Sequence, residues 1–362
     1  MSPSSSDRSV NRRTAISAIF GAAAGLSQAS RSVAESPARR GRLGLVMYDC
    51  GLRRKHMKQL DPAIDLFEPL TFLKHCHLVG AGGMQVSLGV LDGATVKSLR
   101  DYADAHELFI EGIVQPPKDD GDANRFEAEI QSAAQVGALA VRTVVMPGRR
   151  YEQFNSLAQV REAELRARRM LERAAPIVTK HRVRLAVENH KDQRIEDRVA
   201  LYEHLACEYI GATVDTGNSF ALLDDPYEAI EALSPYAFAV HLKDQALREY
   251  EEGFLLGDIP LGQGSFDIPR VVAILQRAKP DIRIALEVIT RDALRVPCLS
   301  ERYWATMPKV SGADLARSLR FVRENTSNRV QSVSTLTIDE QVKLEDANIA
   351  ASLAFASEHL TL

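Results

Sequence analysis

The chain has 362 residues, of which 45% are hydrophobic and 26% charged, and its formal net charge is −3. That balance fits a soluble globular protein of one large domain or two ordinary ones, and the lack of a basic tract able to follow a phosphate backbone argues against nucleic acid as a partner. Cysteines at 50, 76, 207 and 298 form no CxxC pair, so neither a zinc knuckle nor a thioredoxin-type redox site is indicated.

The N-terminus differs in kind. Arg8, Arg12 and Arg13 precede an uncharged, Ala-rich run from Thr14 to Ser30. This has the layout of a charged n-region and a short h-region, and it is too short and weakly apolar for a stable membrane span. The segment from Asn11 to Ile16 resembles a twin-arginine export signal, with Ala15 where a bulky apolar residue is common. The expectation is an export signal or disordered extension over residues 1–35 and a periplasmic location, or a cytoplasmic one if the segment is not a signal.

From residue 42 the text alternates. Strands are expected over residues 42–48, 84–88, 108–114, 138–146, 183–188, 210–215, 238–242 and 282–288. Helices are expected over 61–77, 93–106, 124–136, 150–181 (bent or broken near Pro176), 197–207, 226–233, 266–277 and 312–325. Eight strands alternating with eight helices imply a parallel sheet, and eight units are the number that closes a (β/α)8 TIM barrel. An open doubly wound sheet is the alternative, but no GxGxxG follows the first strand. The domain reading is therefore an N-terminal segment 1–35, a barrel over 36–326, and a C-terminal helical appendage over 327–362 that packs across the barrel or onto a neighbour.

Four strand ends carry the chemistry. The fifth strand ends LAVENH, the sixth ATVDTGN, the seventh FAVHLKD and the eighth IALEVIT, offering Glu188, Asp215, His241 and Glu287. Two residues before each stands a small side chain: Ala186, Thr213, Ala239 and Ala285. The intervening positions are apolar, as helices packed outside a barrel require. All four candidates therefore point inward in one register, at the C-terminal ends of consecutive strands where barrel active sites lie. Three carboxylates converging there repel one another unless a cation is present. The set suits one divalent metal ion, with Mn²⁺ first and Mg²⁺, Co²⁺ or Zn²⁺ as alternatives.

The order Glu, Asp, His, Glu on these strands, with the phrases ENH, DTGN, HLKD and GQGSFDIP, resembles the xylose isomerase-like TIM barrels of the sugar phosphate isomerase/epimerase superfamily. The resemblance covers residues 42–325. It implies a metal-dependent sugar isomerase or epimerase that moves a proton next to a carbonyl through a stabilised enediolate. Glu188 and Glu287 would be both metal ligands and the catalytic acid/base pair. A small-molecule sugar or polyol substrate is implied, and a homo-oligomer is possible. A lyase of the inosose-dehydratase or 3-keto-sugar type is the alternative on the same site. An endonuclease IV-like nuclease and a non-catalytic sugar-binding barrel are more remote, the former because strands two and three offer Gln85, Ser87 and Glu111 but no His.

The chain departs from the ketose 3-epimerases at three places: Asn218 replaces a His, Arg194 a Glu, and Leu247 (with Arg248 adjacent) an Arg. Their sugar contacts therefore do not transfer. Candidate substrate-binding residues are instead His190, Lys243, Asn218, Arg291 and Trp304. Trp304 lies in the long loop after strand eight, placed either to stack on a sugar ring or to anchor the loop. Arg149, Arg150 and Arg295 could take an anionic group. Gln85 and Glu111 lie on early strands, and Glu111 may face the cavity only low in its strand.

Overall fold

Eight short buried strands form the inner wall of the computed structural model, which describes residues 42–146 and 148–362. They are β1 (Gly44–Val46), β2 (Gly83–Ser87), β3 (Phe109–Ile113), β4 (Val141–Thr143), β5 (Leu185–Glu188), β6 (Ile210–Asp215), β7 (Ala237–Leu242) and, after the excursion described below, β10 (Ala285–Leu286). Each pairs in parallel with the next, and β10 returns to β1 to close the barrel. The expected (β/α)8 architecture is thus present. The proposed twin-arginine segment lies outside the described residues. Among those residues no helix is long and apolar enough to cross a membrane.

Period-two alternation sorts the strand residues into two layers. Leu185, Val187, Ala212, Val214, Val240, Ile284 and Leu286 join one large core between sheet and helices, while Ala140, Ala186 and Ala239 form a separate small cluster. Small residues fill the narrow barrel interior and leave the larger polar side chains the space at its mouth.

The outer helices are α1 (Gly51–Leu60), α2 (Pro69–Leu78), α3 (Gly93–His106), α4 (Ala123–Gln135), α5 (Arg150–Gln153), α6 (Leu157–His181), α7 (Ile195–Leu205), α8 (Pro226–Leu233), α9 (Ile268–Ala278), α10 (Glu301–Trp304), α11 (Gly312–Glu324) and α12 (Ile338–His359). Three differ from expectation. The first helical region starts earlier, at Gly51, and is interrupted between α1 and α2. The long stretch from 150 breaks near its start, where Ser156 caps α6 by accepting from the Gln159 N–H. Pro176 does not break α6; it sits on the exposed face of a helix that buries Val160, Ala163, Ala167, Leu171, Ala174 and Val178. A proline on that face leaves its unpaired carbonyl to solvent.

The largest addition follows β7. Residues 244–259, unassigned from sequence, form an antiparallel hairpin of β8 (Asp244–Tyr250) and β9 (Gly253–Ile259), extended by β11 (Leu294–Val296). Asp244 explains why HLKD and GQGSF occur together. Its carboxylate accepts from the N–H groups of Gln245 at 2.9 Å, Gly264 at 2.8 Å and Phe266 at 3.1 Å. A Cβ at Gly264 would come within 2.0 Å of that carboxylate, so the loop requires glycine there.

The C-terminal helix packs on this barrel. Thr337 and Glu340 form a capping box at the start of α12. Buried Glu345 accepts from the N–H groups of Leu52 and Arg53, both at 2.8 Å, and so caps the start of α1. Asn348 donates to the Thr290 hydroxyl at 2.9 Å, and the Leu261 N–H reaches the Ser352 hydroxyl at 3.3 Å. Gly262, at φ +76°, lies where a Cβ would meet the Phe355 ring at 2.1 Å. Replacing Glu345 by Ala leaves two partly buried N–H groups of α1 without this acceptor and is expected to lower stability by about 1–2 kcal/mol. Urea unfolding of Glu345→Ala beside wild type measures it; an unchanged midpoint would remove this helix's anchoring role.

Candidate metal centre

Glu188 is the last residue of β5 and Asp215 the last of β6; His241 is the penultimate residue of β7, and Glu287 follows β10. Cross-strand pairing sets their common level: His241 lies opposite Asp215 on one side and opposite Ala285 on the other. One ligand atom from each of Glu188, Asp215, His241 and Glu287 lies within 4.8 Å of all the others, and all four residues are buried.

The atoms available fit a divalent cation. His241 Nδ1, Asp215 Oδ2 and Glu287 Oε2 are buried without a hydrogen-bond partner. His241 Nδ1 stands 3.4 Å from Glu287 and 3.8 Å from Glu188. Lys243 places its ammonium 3.0 Å from Asp215 and 2.6 Å from Glu287. These are ion-pair contacts and neutralise one of three like charges. Buried carboxylates left with so little compensation are what a divalent ion stabilises.

A chain of polar side chains sets the histidine's orientation. Gln85 on β2 donates its amide to Glu111 on β3 at 2.8 Å, and the Gln85 carbonyl stands 2.8 Å from His241 Nε2. With the Gln85 nitrogen directed at Glu111, the Gln85 oxygen is left to accept from Nε2–H. The lone pair of His241 Nδ1 is thereby aimed at the quartet. Burial pushes Glu111 up to about 7, against the opposing effect of Gln85. Burial would lower His241, but Glu287 and Glu188 outweigh it and hold its proton more tightly than usual. A divalent ion entering the quartet displaces that proton.

The two glutamates differ. Burial would raise Glu188, but Arg142 and then His241 outweigh it and hold its carboxyl below the ordinary range. Arg142, on β4, donates from Nε to Glu188 Oε2 at 2.6 Å and makes a second contact through Nη2. Asn218 donates to the other oxygen of Glu188 at 3.0 Å. Both Glu188 oxygens are thus engaged by Arg142 and Asn218, whereas the burial of Glu287 is outweighed by the Lys243 ammonium and His241 at its Oε2, which hold its carboxyl well below the usual range. Asp215 is raised by burial despite Lys243. Its Oδ1 accepts from Gly217 N at 2.9 Å and Asn218 N at 2.8 Å, which explains the turn after ATVD.

Above the quartet opens a cavity of about 340 Å³ whose wall includes Arg142, Glu188, His190, Lys191, Lys243, Glu287 and Arg291. His190, Lys243 and Arg291 therefore line the same cavity as Glu188 and Glu287. His190 Nδ1 faces the Gly148 carbonyl at 3.2 Å and must donate to it, leaving Nε2 as an acceptor. Burial lowers His190, so its ring favours the neutral form. Arg291 pairs with Asp258 at 3.2 Å. Asn218 is off the cavity wall and touches the ligands Glu188 and Asp215 instead. Trp304 is also off that wall: its indole N–H donates to the Cys298 carbonyl at 2.9 Å, and its ring meets Tyr303 edge-on. That contact anchors the loop. Arg149, Arg150 and Arg295 do not line the cavity either; Arg149 pairs with Glu152 and Arg150 donates to the Thr306 carbonyl.

Sequence reasoning missed Arg142 and Lys191. Arg142 carried the same signal as Glu188, a charge inside an apolar strand. Lys191 carried none beyond its nearness to Glu188. The departures also acquire reasons. Arg194 forms a buried ion pair with Asp224 at 2.7 Å, and Leu247 is buried in the hairpin sheet.

Comparisons with known proteins agree with this fold. Residues 73–324 match the family described as Xylose isomerase-like TIM barrel. Among solved structures, a D-psicose 3-epimerase in the presence of D-fructose is similar at TM-score 0.56 and 12% identity, over 89% of this chain and 100% of that one. An L-ribulose 3-epimerase is similar at TM-score 0.51 and 14% identity, over 88% of this chain and 96% of that one. A xylose isomerase-like TIM barrel protein from Mycobacterium smegmatis in complex with magnesium gives TM-score 0.50 and 16% identity, over 77% of this chain and 98% of that one. Among curated proteins, 3-oxo-isoapionate decarboxylase of Pectobacterium atrosepticum is 26% identical over 138 residues, 38% of this chain. The match spans about half of that relative, 49%.

Removing the acceptor for His241 Nε2 by Gln85→Leu is expected to weaken divalent-ion affinity by about 10–100-fold. Competition against a colorimetric chelator reads this without any substrate. An unchanged affinity would mean that Gln85 does not orient the ligand.

Proposed function

The chain belongs to the xylose isomerase-like TIM barrel family, and from that starting point we propose that it is a metal-dependent enzyme transferring a proton next to the carbonyl of a sugar-like substrate. The observation that carries this reading is the buried Glu188–Asp215–His241–Glu287 quartet opening onto one cavity. Manganese leads among the ions, because the donors are three oxygens and one nitrogen with no thiolate. A bound divalent ion would supply Lewis-acid polarisation of the substrate carbonyl and charge stabilisation as the C–H proton leaves.

The protein's own groups divide the remaining work. Glu287 is the base: it lines the cavity beside Lys243. Glu188 is the second carboxylate of the pair. Arg142 and Asn218 hold both of its oxygens, and Lys243 with His241 likewise outweighs burial and holds Glu287 well below the usual carboxylate range, so both are ionised and able to accept a proton. Lys243 stands beside Glu287 and stabilises negative charge on the reacting oxygens. His190 Nε2 is free to accept a substrate hydroxyl at the mouth.

A second reading is decarboxylation of a keto acid, favoured by the likeness to 3-oxo-isoapionate decarboxylase. Loss of CO2 leaves an enolate that needs only one proton donor.

Metal-loaded protein in D2O with a panel of ketoses is expected to place solvent deuterium next to the carbonyl, followed by NMR. Glu287→Gln should slow that exchange by about 10²–10⁴-fold, with ion content measured alongside. Exchange that persists without the ion, or at the wild-type rate in the variant, sinks the assignment. Release of CO2 from keto acids without exchange on neutral ketoses selects the second reading.

A further inference from the structure

The cavity wall holds a positive charge that the metal centre does not explain. Its charged residues include two carboxylates, Glu188 and Glu287, and both belong to the ligand quartet. Against them stand Arg142, Lys191, Lys243 and Arg291. Three of these cations are already matched. Arg142 is paired with Glu188, Lys243 with Asp215 and Glu287, and Arg291 with Asp258.

Lys191 is the exception. It lies in the loop between β5 and α7 and is only 2% exposed. Its ammonium donates to the side-chain oxygen of Asn218, a neutral group that also takes Lys243 at 3.4 Å. Among the described residues no carboxylate forms an ion pair with it. A buried ammonium without a paired carboxylate is unfavourable. Burial and the nearby Lys243 loosen its hold on its proton against the opposing pull of Asp215. A divalent ion in the quartet would add further positive charge a short distance away. A neutral sugar in this cavity leaves Lys191 unmatched, whereas an anionic group against it completes the charge balance.

We infer that the substrate of this site is a sugar acid, its carboxylate held by Lys191 with Arg291 alongside. The inference rests on the proposed reading in that the same cavity takes the substrate. A carboxylate suits a single buried ammonium better than a phosphate, which calls for a larger set of converging donors. The other charged candidates add nothing to this: Arg198 is matched by Asp192 at 2.9 Å, and Arg194 by Asp224.

The test is calorimetric binding to the manganese-loaded full chain. The probes share one carbon skeleton: D-fructose, 2-keto-D-gluconate with its carboxylate at carbon 1, D-fructuronate with its carboxylate at carbon 6, and fructose 6-phosphate. At least one of the two acids is expected to bind about tenfold or more tightly than D-fructose. Lys191→Met should erase that preference while ion content stays at the wild-type level, and Lys191→Arg should keep part of it. If Lys191→Met does not fold, Lys191→Gln and the wild-type preference decide. Equal affinities, no binding by either acid, a preference that survives without Lys191, or tighter binding of the phosphate than of both acids overturns the inference. The two proposals fail separately. An acid preference without solvent exchange removes the reaction but keeps the anion pocket. Metal-dependent exchange on neutral ketoses without any acid preference does the reverse.

Discussion

Three carboxylates and an imidazole share a space in which their ligand atoms all lie within 4.8 Å, and none of the four residues is exposed. Charges of one sign so close, and so far from water, are the constraint from which the rest of this structure follows. Arg142 beneath Glu188 and Lys243 between Asp215 and Glu287 each offset part of it. What remains is the affinity for a cation. The barrel supplies the rigidity, because every member stands at or just beyond the end of a strand whose neighbours are paired on both sides.

The polar side chains under the quartet are as organised as the ligands. Gln85, Glu111 and Arg142 come from β2, β3 and β4, three of the four strands that contribute no ligand. One half of the barrel therefore donates the ligands and the other half orients them. Such division of labour is expected of metal sites, where the partner of a ligand's second atom decides which lone pair the ion meets.

The fold and the quartet were legible for one reason. A polar residue that interrupts an apolar strand has few places to go, and in a barrel the period of two sends it inward. Glu188, Asp215, His241 and Glu287 obey that rule, and so does Arg142, whose significance was overlooked because it sits in mid-strand. The hairpin β8–β9 was not legible. Its first strand begins Asp244-Gln245, polar residues that become buried because Asp244 collects the N–H of Gln245 and two more, of Gly264 and Phe266, from a loop some twenty residues on. The seat of α12 was hidden in the same way. Its buried stripe includes Glu345, Asn348 and Ser352, which read as surface until their partners on α1, Thr290 and Leu261 are known. Long-range polar pairing leaves no local trace in sequence.

The position of Asp49 gives the last helix a part in the order of assembly. Asp49 follows β1, is fully buried, and accepts from the Val46 N–H at 3.2 Å and from the Val288 N–H, next to Glu287, at 2.7 Å. It thus ties the first barrel strand to the residue after the last ligand. Just beyond, Glu345 holds the start of α1, and Asn348 holds Thr290. A chain leaving the ribosome from its N-terminus presents Glu188, Asp215 and His241 well before any of this can form. The contacts of Glu345 and Asn348 form only once residues 338–359 have emerged and folded back. Barrel closure and Glu287 arrive together, because β10 pairs with β1 and Glu287 follows it at once. Until residue 287 has been added, the nascent chain offers three of the four candidate donors, so any ion it met then would find an incomplete set.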